Sequence, residues 1–130
     1  MSGSIDKTVK QFVMIGESGK YDYDKEFKYH EGFVYALHPC IEGNGYFSAS
    51  KDMKVFHVDK DGNPSMLFEG HENAVNSISQ SVPEEIVTGG WDGTARIWDS
   101  KTGKCKKVLE GHTHAVSVLS LPNGVIITGS

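Results

Sequence analysis

The sequence predicts an all-β chain built from a repeat of about 40 residues, and three observations carry that prediction. Histidines recur at His30, His71 and His112, at even intervals of 41 residues (30 to 71, 71 to 112), the last two within Gly70-His71 and Gly111-His112. Aspartates stand in matching turn-like settings at Asp6, Asp52 and Asp92, each preceded by small residues and followed within a few positions by an aromatic one: Phe12, Phe56 and Trp98. Short β-branched and aromatic runs, among them Ile97-Trp98, Val116 to Val118 and Ile126-Ile127, are bounded by Asp92-Gly93, Thr102-Gly103 and Asn123-Gly124. Such pairs favour tight turns between strands, and no segment carries a convincing apolar stripe of helical period.

Residues 1–27 read as a half unit, its third and fourth strands, turning at Asp6 and again at the glycines of 16–20. The run Gly16-Glu17-Ser18-Gly19-Lys20 is a hairpin tip and no phosphate loop. A phosphate loop needs four residues between its glycines and Ser or Thr after the lysine, whereas two intervene here and Tyr21 follows. The acidic stretch 21–27 then reads as a solvated hairpin arm. Residues 28–68 form a whole unit with His30, Ser48 and Asp52, an insert over 39–45, and Phe56 as its closing aromatic, two residues nearer its aspartate than in the other copies. Position 29 is Tyr where the later units have Gly. Residues 69–109 form a second whole unit, and residues 110–130 hold the first two strands of another, with His112 and Thr128.

Composition excludes several function classes. Charged residues are 23% and hydrophobic ones 38% of 130 residues, with a formal charge of -4, so the whole chain should fold and no basic surplus is left to neutralise phosphates. Neither nucleic acid nor membrane is an expected partner. Two cysteines, Cys40 and Cys105, make no disulfide framework, which fits a reducing cytoplasmic or nuclear home. The start has no basic and apolar leader, and no apolar run approaches the roughly 18 residues a spanning helix needs. His38-Pro39-Cys40 and His57 lack metal-ligand spacing, and Ser48-Ala49-Ser50-Lys51 lacks the partner motifs of the penicillin-binding enzymes. A histidine and aspartate repeated in every unit argue against acid–base catalysis, since active sites are normally single clefts. No enzyme activity, cofactor or metal is expected.

A period near 40, a Gly-His near the start of the unit and Trp98-Asp99 at its end resemble the WD40 repeat, in which each unit is a four-stranded propeller blade. The resemblance implies a WD40 β-propeller segment of two complete four-stranded blades (28–68 and 69–109) and two half-blades (1–27 and 110–130). It also implies a hydrogen-bonded tetrad in each blade, for which His71, Thr88, Asp92 and Trp98 supply all four places. His30, Ser48 and Asp52 supply three, with Phe56 lacking the N–H donor. His112 and Thr128 in one half-blade, with Asp6 and Phe12 in the other, share a further set.

Three blades are too few for a ring of typically four to eight, and an open ring exposes strand edges. Thr128-Gly129-Ser130 aligns with Ser2-Gly3-Ser4. A second chain that completes each half-blade would therefore give a six-blade homodimeric ring with two-fold symmetry. The alternative is that these residues are a segment of a longer protein.

The run from Gly89-Gly90-Trp91-Asp92 through Lys104-Cys105 and Gly111-His112-Thr113-His114 to Thr128-Gly129-Ser130 is similar to consecutive blades of the phospholipase A-2-activating protein (PLAP) family, which are polyubiquitin-binding WD-repeat proteins. That resemblance implies ubiquitin or polyubiquitin as partner and an adaptor role in ubiquitin-dependent protein turnover. Such proteins dock a hexameric AAA segregase through later domains, which do not lie within these residues. A generic WD40 scaffold whose partner is itself or another WD-repeat chain is the alternative. In WD propellers the third and fifth residues after the histidine, and the residue before the turn aspartate, point to the narrow face where partners bind. Here these are Phe33, Tyr35, Ala74, Asn76, Ala115 and Ser117, with Ile5, Lys51 and Trp91. Exposed aromatic side chains are common interface anchors, and packing of Phe33 and Tyr35 within the blade or channel is the competing reading.

Overall fold

The computed structural model describes residues 2–3, 5–17 and 19–130, and the side chains of residues 2, 3, 12–15, 21 and 23 lie outside that description. Among the described residues every regular element is a strand, and the fold is an all-β propeller segment of four antiparallel sheets. The first sheet joins β1 (Ser2–Gly3), β2 (Val9–Ile15) and β3 (Lys20–Phe27) in sequence order. A four-stranded sheet follows from β4 (Val34–Pro39), β5 (Gly45–Ser50), β6 (Val55–Asp59) and β7 (Pro64–Phe68). A second has β8 (Val75–Val82), β9 (Glu85–Gly90), β10 (Ala95–Asp99) and β11 (Cys105–Leu109), and β12 (Ser117–Ser120) pairs with β13 (Ile126–Gly129). The sheets do not close into a ring. Beyond the third and fourth strands read from the sequence, the first sheet has the two-residue β1, with Gly3 opposite Val9.

Burial explains the composition of the strands. The second strand of each whole sheet, β5 and β9, is buried almost throughout and reads Tyr-Phe-Ser-Ala-Ser and Ile-Val-Thr-Gly-Gly after its first residue. The outermost strand β11 is exposed and carries Lys106 and Lys107, charges that discourage pairing at an open edge. One core lies between the two whole sheets, where Phe47, Phe68 and Trp98 meet edge-on in series at 6.1 and 5.8 Å. A second joins the first sheet to its neighbour through Val9, Val34, Tyr46 and Val58, with Phe27, Tyr29 and Phe56 packed on it. Each fully buried ring contributes about 2–3 kcal/mol. Toward β12 the joint is polar: Val118 and Ser120 donate backbone N–H groups to the hydroxyls of Ser77 and Ser79. Gly89 is required at this joint, because a Cβ there would meet the Val116 carbonyl oxygen at 2.2 Å.

The register corrects the expectation for Phe56. In the later whole blade Thr88 faces Arg96 and Ile86 faces Trp98. In the earlier one Ser48 faces Phe56 and Tyr46 faces Val58. The place of Trp98 is therefore taken by Val58, and Phe56 stands where the other blade has Arg96. Both turns are the same length, since Asp52 and Asp92 each accept the backbone N–H two residues on, so nothing is deleted before the aromatic residue. Phe12 keeps the six-residue spacing from Asp6, but its side chain lies outside the described residues.

Candidate partner-binding face

In each whole blade a buried histidine holds the turn aspartate. In the later whole blade Asp92 Oδ2 and His71 Nδ1 are 2.8 Å apart, His71 Nε2 and Thr88 Oγ1 2.7 Å, and the Trp98 indole donates to Thr88 Oγ1 at 2.8 Å. An indole N–H can only donate, so the Thr88 hydroxyl passes its own proton to Nε2, and Nδ1–H donates to Asp92. Burial pushes the His71 pKa down despite the pull of Asp92, which keeps the ring neutral. Hydrogen bonds from the Glu72 and Thr94 backbone, the Thr94 hydroxyl and His71 outweigh burial and bring Asp92 to about 2.

His30, Ser48 and Asp52 repeat two of the three contacts, at 2.8 Å each. No indole closes that set. Instead the Tyr29 ring packs edge-on against Phe56 at 5.6 Å, and its hydroxyl donates to the Tyr46 hydroxyl at 2.9 Å beside Ser48. His112 Nε2 and Thr128 Oγ1 are 2.9 Å apart. Asp6 binds the Thr8 N–H and hydroxyl as Asp92 binds those of Thr94.

These His–Asp pairs fix turns whose exposed side chains form a face. Backbone hydrogen bonds from Lys51 N to Phe33 O and from Trp91 N to Ala74 O, each 2.8 Å, tie each turn to the chain entering its blade. Side chains distant in sequence meet as a result. Trp91 stacks on Tyr35 at 5.6 Å and 21°, Phe33 stands perpendicular to Tyr35 at 6.5 Å, and the Lys51 ammonium lies 5.0 Å over the Phe33 ring. Trp91 is 47% and Tyr35 37% exposed, while Phe33 is half-buried. Ile5, at 74% exposure, crowns the turn of the first sheet, and Lys7 of that turn lines a groove with Glu31, Phe33, Lys51 and Met53.

Two residues expected on this face do not contribute a free side chain. Ala74 is 1% exposed, because its small side chain packs inward while its carbonyl holds Trp91. Asn76, with its amide nitrogen toward the Gly89 and Val116 carbonyls at 2.7 and 2.8 Å, spends its donors bridging sheets. Ala115 and Ser117 are exposed, though no ring contact joins them to the aromatic strip. Sequence reasoning missed Met53 and Lys7, which hold φ of 69° and 70° where the equivalent turn residue is Gly93 at 79°. It also missed Glu31 and Glu72, whose backbone N–H groups sit on Asp52 and Asp92. Among the described residues no His, Cys, Asp or Glu cluster is placed to hold a metal ion.

Residues 62–99 match the family model described as WD domain, G-beta repeat. The chain is 40% identical over 91 residues to THO complex subunit 6 of Arabidopsis thaliana, covering 62% of this chain and 25% of that protein. It is also 40% identical over 86 residues to ubiquitin homeostasis protein lub1 of Schizosaccharomyces pombe, covering 62% of this chain and 12% of that one. The crystal structure of the WD40 beta propeller domain of Doa1 is similar with a TM-score of 0.83 and 32% identity, over 98% of this chain and 42% of that chain. The chain thus spans a quarter or less of these curated relatives.

Proposed function

The chain carries a WD40 repeat and folds as a segment of a β-propeller, and from that premise we propose that it is a non-catalytic adaptor that binds ubiquitin or polyubiquitin through the strip Phe33–Tyr35–Trp91, with Ile5 and Lys51 at its margin. The strip carries the reading. Aromatic side chains this exposed, already ordered by stacking on one another, lose little entropy on binding and offer the flat apolar contact that a small hydrophobic patch on ubiquitin matches. Similarity to lub1, whose name concerns ubiquitin homeostasis, and to the Doa1 propeller supports the choice of partner. The adaptor would act in ubiquitin-dependent turnover in the cytoplasm or nucleus, and an AAA segregase would be engaged only through domains outside these residues.

Titration of isotopically labelled ubiquitin tests the proposal. Binding should weaken about tenfold or more in Trp91→Ala and Tyr35→Ala, with melting temperatures near that of the parent. Unchanged affinity in both variants would refute the site.

A second reading rests on a different surface. Leu119 and its cross-strand partner Ile127 are exposed on the β12–β13 sheet, as is Val125 just before β13. A second copy of the chain, or another WD-repeat chain, would cover them and complete the half-blades. Light scattering that gives the dimer mass, reduced to the monomer by Leu119→Asp, would favour this scaffold reading. A monodisperse monomer would exclude self-association.

A further inference from the structure

The exposed strip is not uniform in chemistry. At its Phe33 end the ring is already capped by the chain's own Lys51 ammonium. At its other end Tyr35 stacks against Trp91, which is still 47% exposed, and no cation of the chain pairs with the indole among the described residues. Trp is the aromatic ring that attracts cations most strongly. Glu72 is exposed, and its backbone N–H is held at 2.9 Å on Asp92, the residue that follows Trp91. The Glu72 carboxylate makes no ion pair among the described residues, unlike Glu42 and Glu85, which hold Lys101 and Lys106. The overall charge of -4 adds a weak attraction for positive groups.

We propose that the open face of Trp91, with Glu72 at its rim, is a subsite for one cationic side chain, a guanidinium or an ammonium, presented by the protein partner. The proposal rests on the reading of the strip as a partner-binding face and adds a charge requirement to it. The cation would lie over the indole as Lys51 lies over Phe33, with the Glu72 carboxylate as counter-ion. The partner is then defined as an apolar patch bordered by a basic residue, which an aromatic strip alone would not demand. Glu31, at the equivalent position of the preceding blade, shares its groove with Lys7 and Lys51, so of these two carboxylates Glu72 is the one left for a partner's cation.

A capped tetra-arginine peptide tests the subsite without ubiquitin. The indole Nε1–H signals of Trp91 and Trp98 are followed by NMR during titration, with capped tetra-glutamine as the neutral control. Tetra-arginine should move the Trp91 signal and leave Trp98 in place, with an affinity about fivefold weaker in Glu72→Gln and weaker again in Glu72→Lys. Equal response to both peptides, no response to either, or an unchanged affinity in Glu72→Lys would overturn the subsite. Ubiquitin titrations separate this failure from that of the adaptor reading. Binding that is lost in Trp91→Ala but indifferent to Glu72→Lys and to salt between about 50 and about 500 mM removes the charge requirement and leaves the face intact.

Discussion

Replacing Val58 by Trp should destabilise the parent chain, yet be close to neutral in a chain that also carries Tyr29→Gly and Tyr46→Ile. The two whole blades differ at three matched places. Where the later blade has Gly70, Ile86 and Trp98, the register puts Tyr29, Tyr46 and Val58. A Cβ on Gly70 would lie 3.1 Å from Trp98 Cη2 and 2.8 Å from Arg96 Nη1, so the glycine and the indole belong together. In the earlier blade the smaller Val58 leaves the space that Tyr29 enters, edge-on to Phe56 and hydrogen-bonded to Tyr46. Val58 is fully buried, and forcing an indole into that filled site costs about 3 kcal/mol.

With both tyrosines removed, the larger buried ring gains about 1–2 kcal/mol over valine. A hydrogen bond from its N–H to Ser48 adds about 1 kcal/mol, and imperfect repacking offsets much of both. The coupling between Val58 and the tyrosine pair is therefore about 3 kcal/mol. Urea denaturation of the single, double and triple variants measures it, and slow exchange of the new indole N–H reports whether the hydrogen bond forms. If Val58→Trp costs the same in both backgrounds to within about 0.5 kcal/mol, the tyrosines do not fill the place of the indole.

Acid should weaken the fold in two stages. Burial holds His71 below its ordinary 6.5, so the unfolded chain takes up its proton first and stability falls as pH drops below that value. Asp92 is held at about 2 against an ordinary 3.8, so a further loss, about 1–2 kcal/mol after solvent screening, comes between those values and should vanish in Asp92→Asn. A stability curve with the same acid limb in that variant would contradict the assignment. Met53→Gly should raise stability by about 1 kcal/mol, because an exposed methionine holds a φ of 69° that glycine adopts without strain. Thermal denaturation checks it, and an unchanged or lower melting temperature would show that the turn stores no strain there.

The all-β propeller segment was legible because its signals are local or strictly periodic. Turn pairs such as Asp92-Gly93 set strand ends, and a histidine every 41 residues marks where each unit begins. Misreadings arose where one position's meaning depends on another far away. Tyr29 looks like a degraded Gly-His pair until the register shows Val58 opposite Tyr46, and Phe56 resembles a displaced Trp only while the pairing is unknown. Ala74 and Asn76 occupy places that point to the face in a generic blade. A methyl group is too short to reach out, and a carboxamide with two carbonyls at hand is better satisfied within the sheet joint than in water.

The aromatic strip shows the same dependence from the other side. Nothing near Trp91 in the sequence names Tyr35 as its neighbour, 56 positions away (35 to 91). They meet because both turns are anchored alike, Lys51 N on Phe33 O and Trp91 N on Ala74 O, and because adjacent blades place those anchors side by side. The repeat therefore supplies the scaffold through residues that recur, whereas the recognition proposed above falls to the ones that differ between copies: Phe33 against Ala74, Tyr35 against Asn76, Lys51 against Trp91. Exchanging Lys51 and Trp91 keeps the composition and both anchoring hydrogen bonds, since these use only the backbone. If recognition depends on the contiguous strip, that exchange should abolish ubiquitin binding and leave the fold stable. Retained binding would mean that composition of the face, and not its order, is what the partner reads.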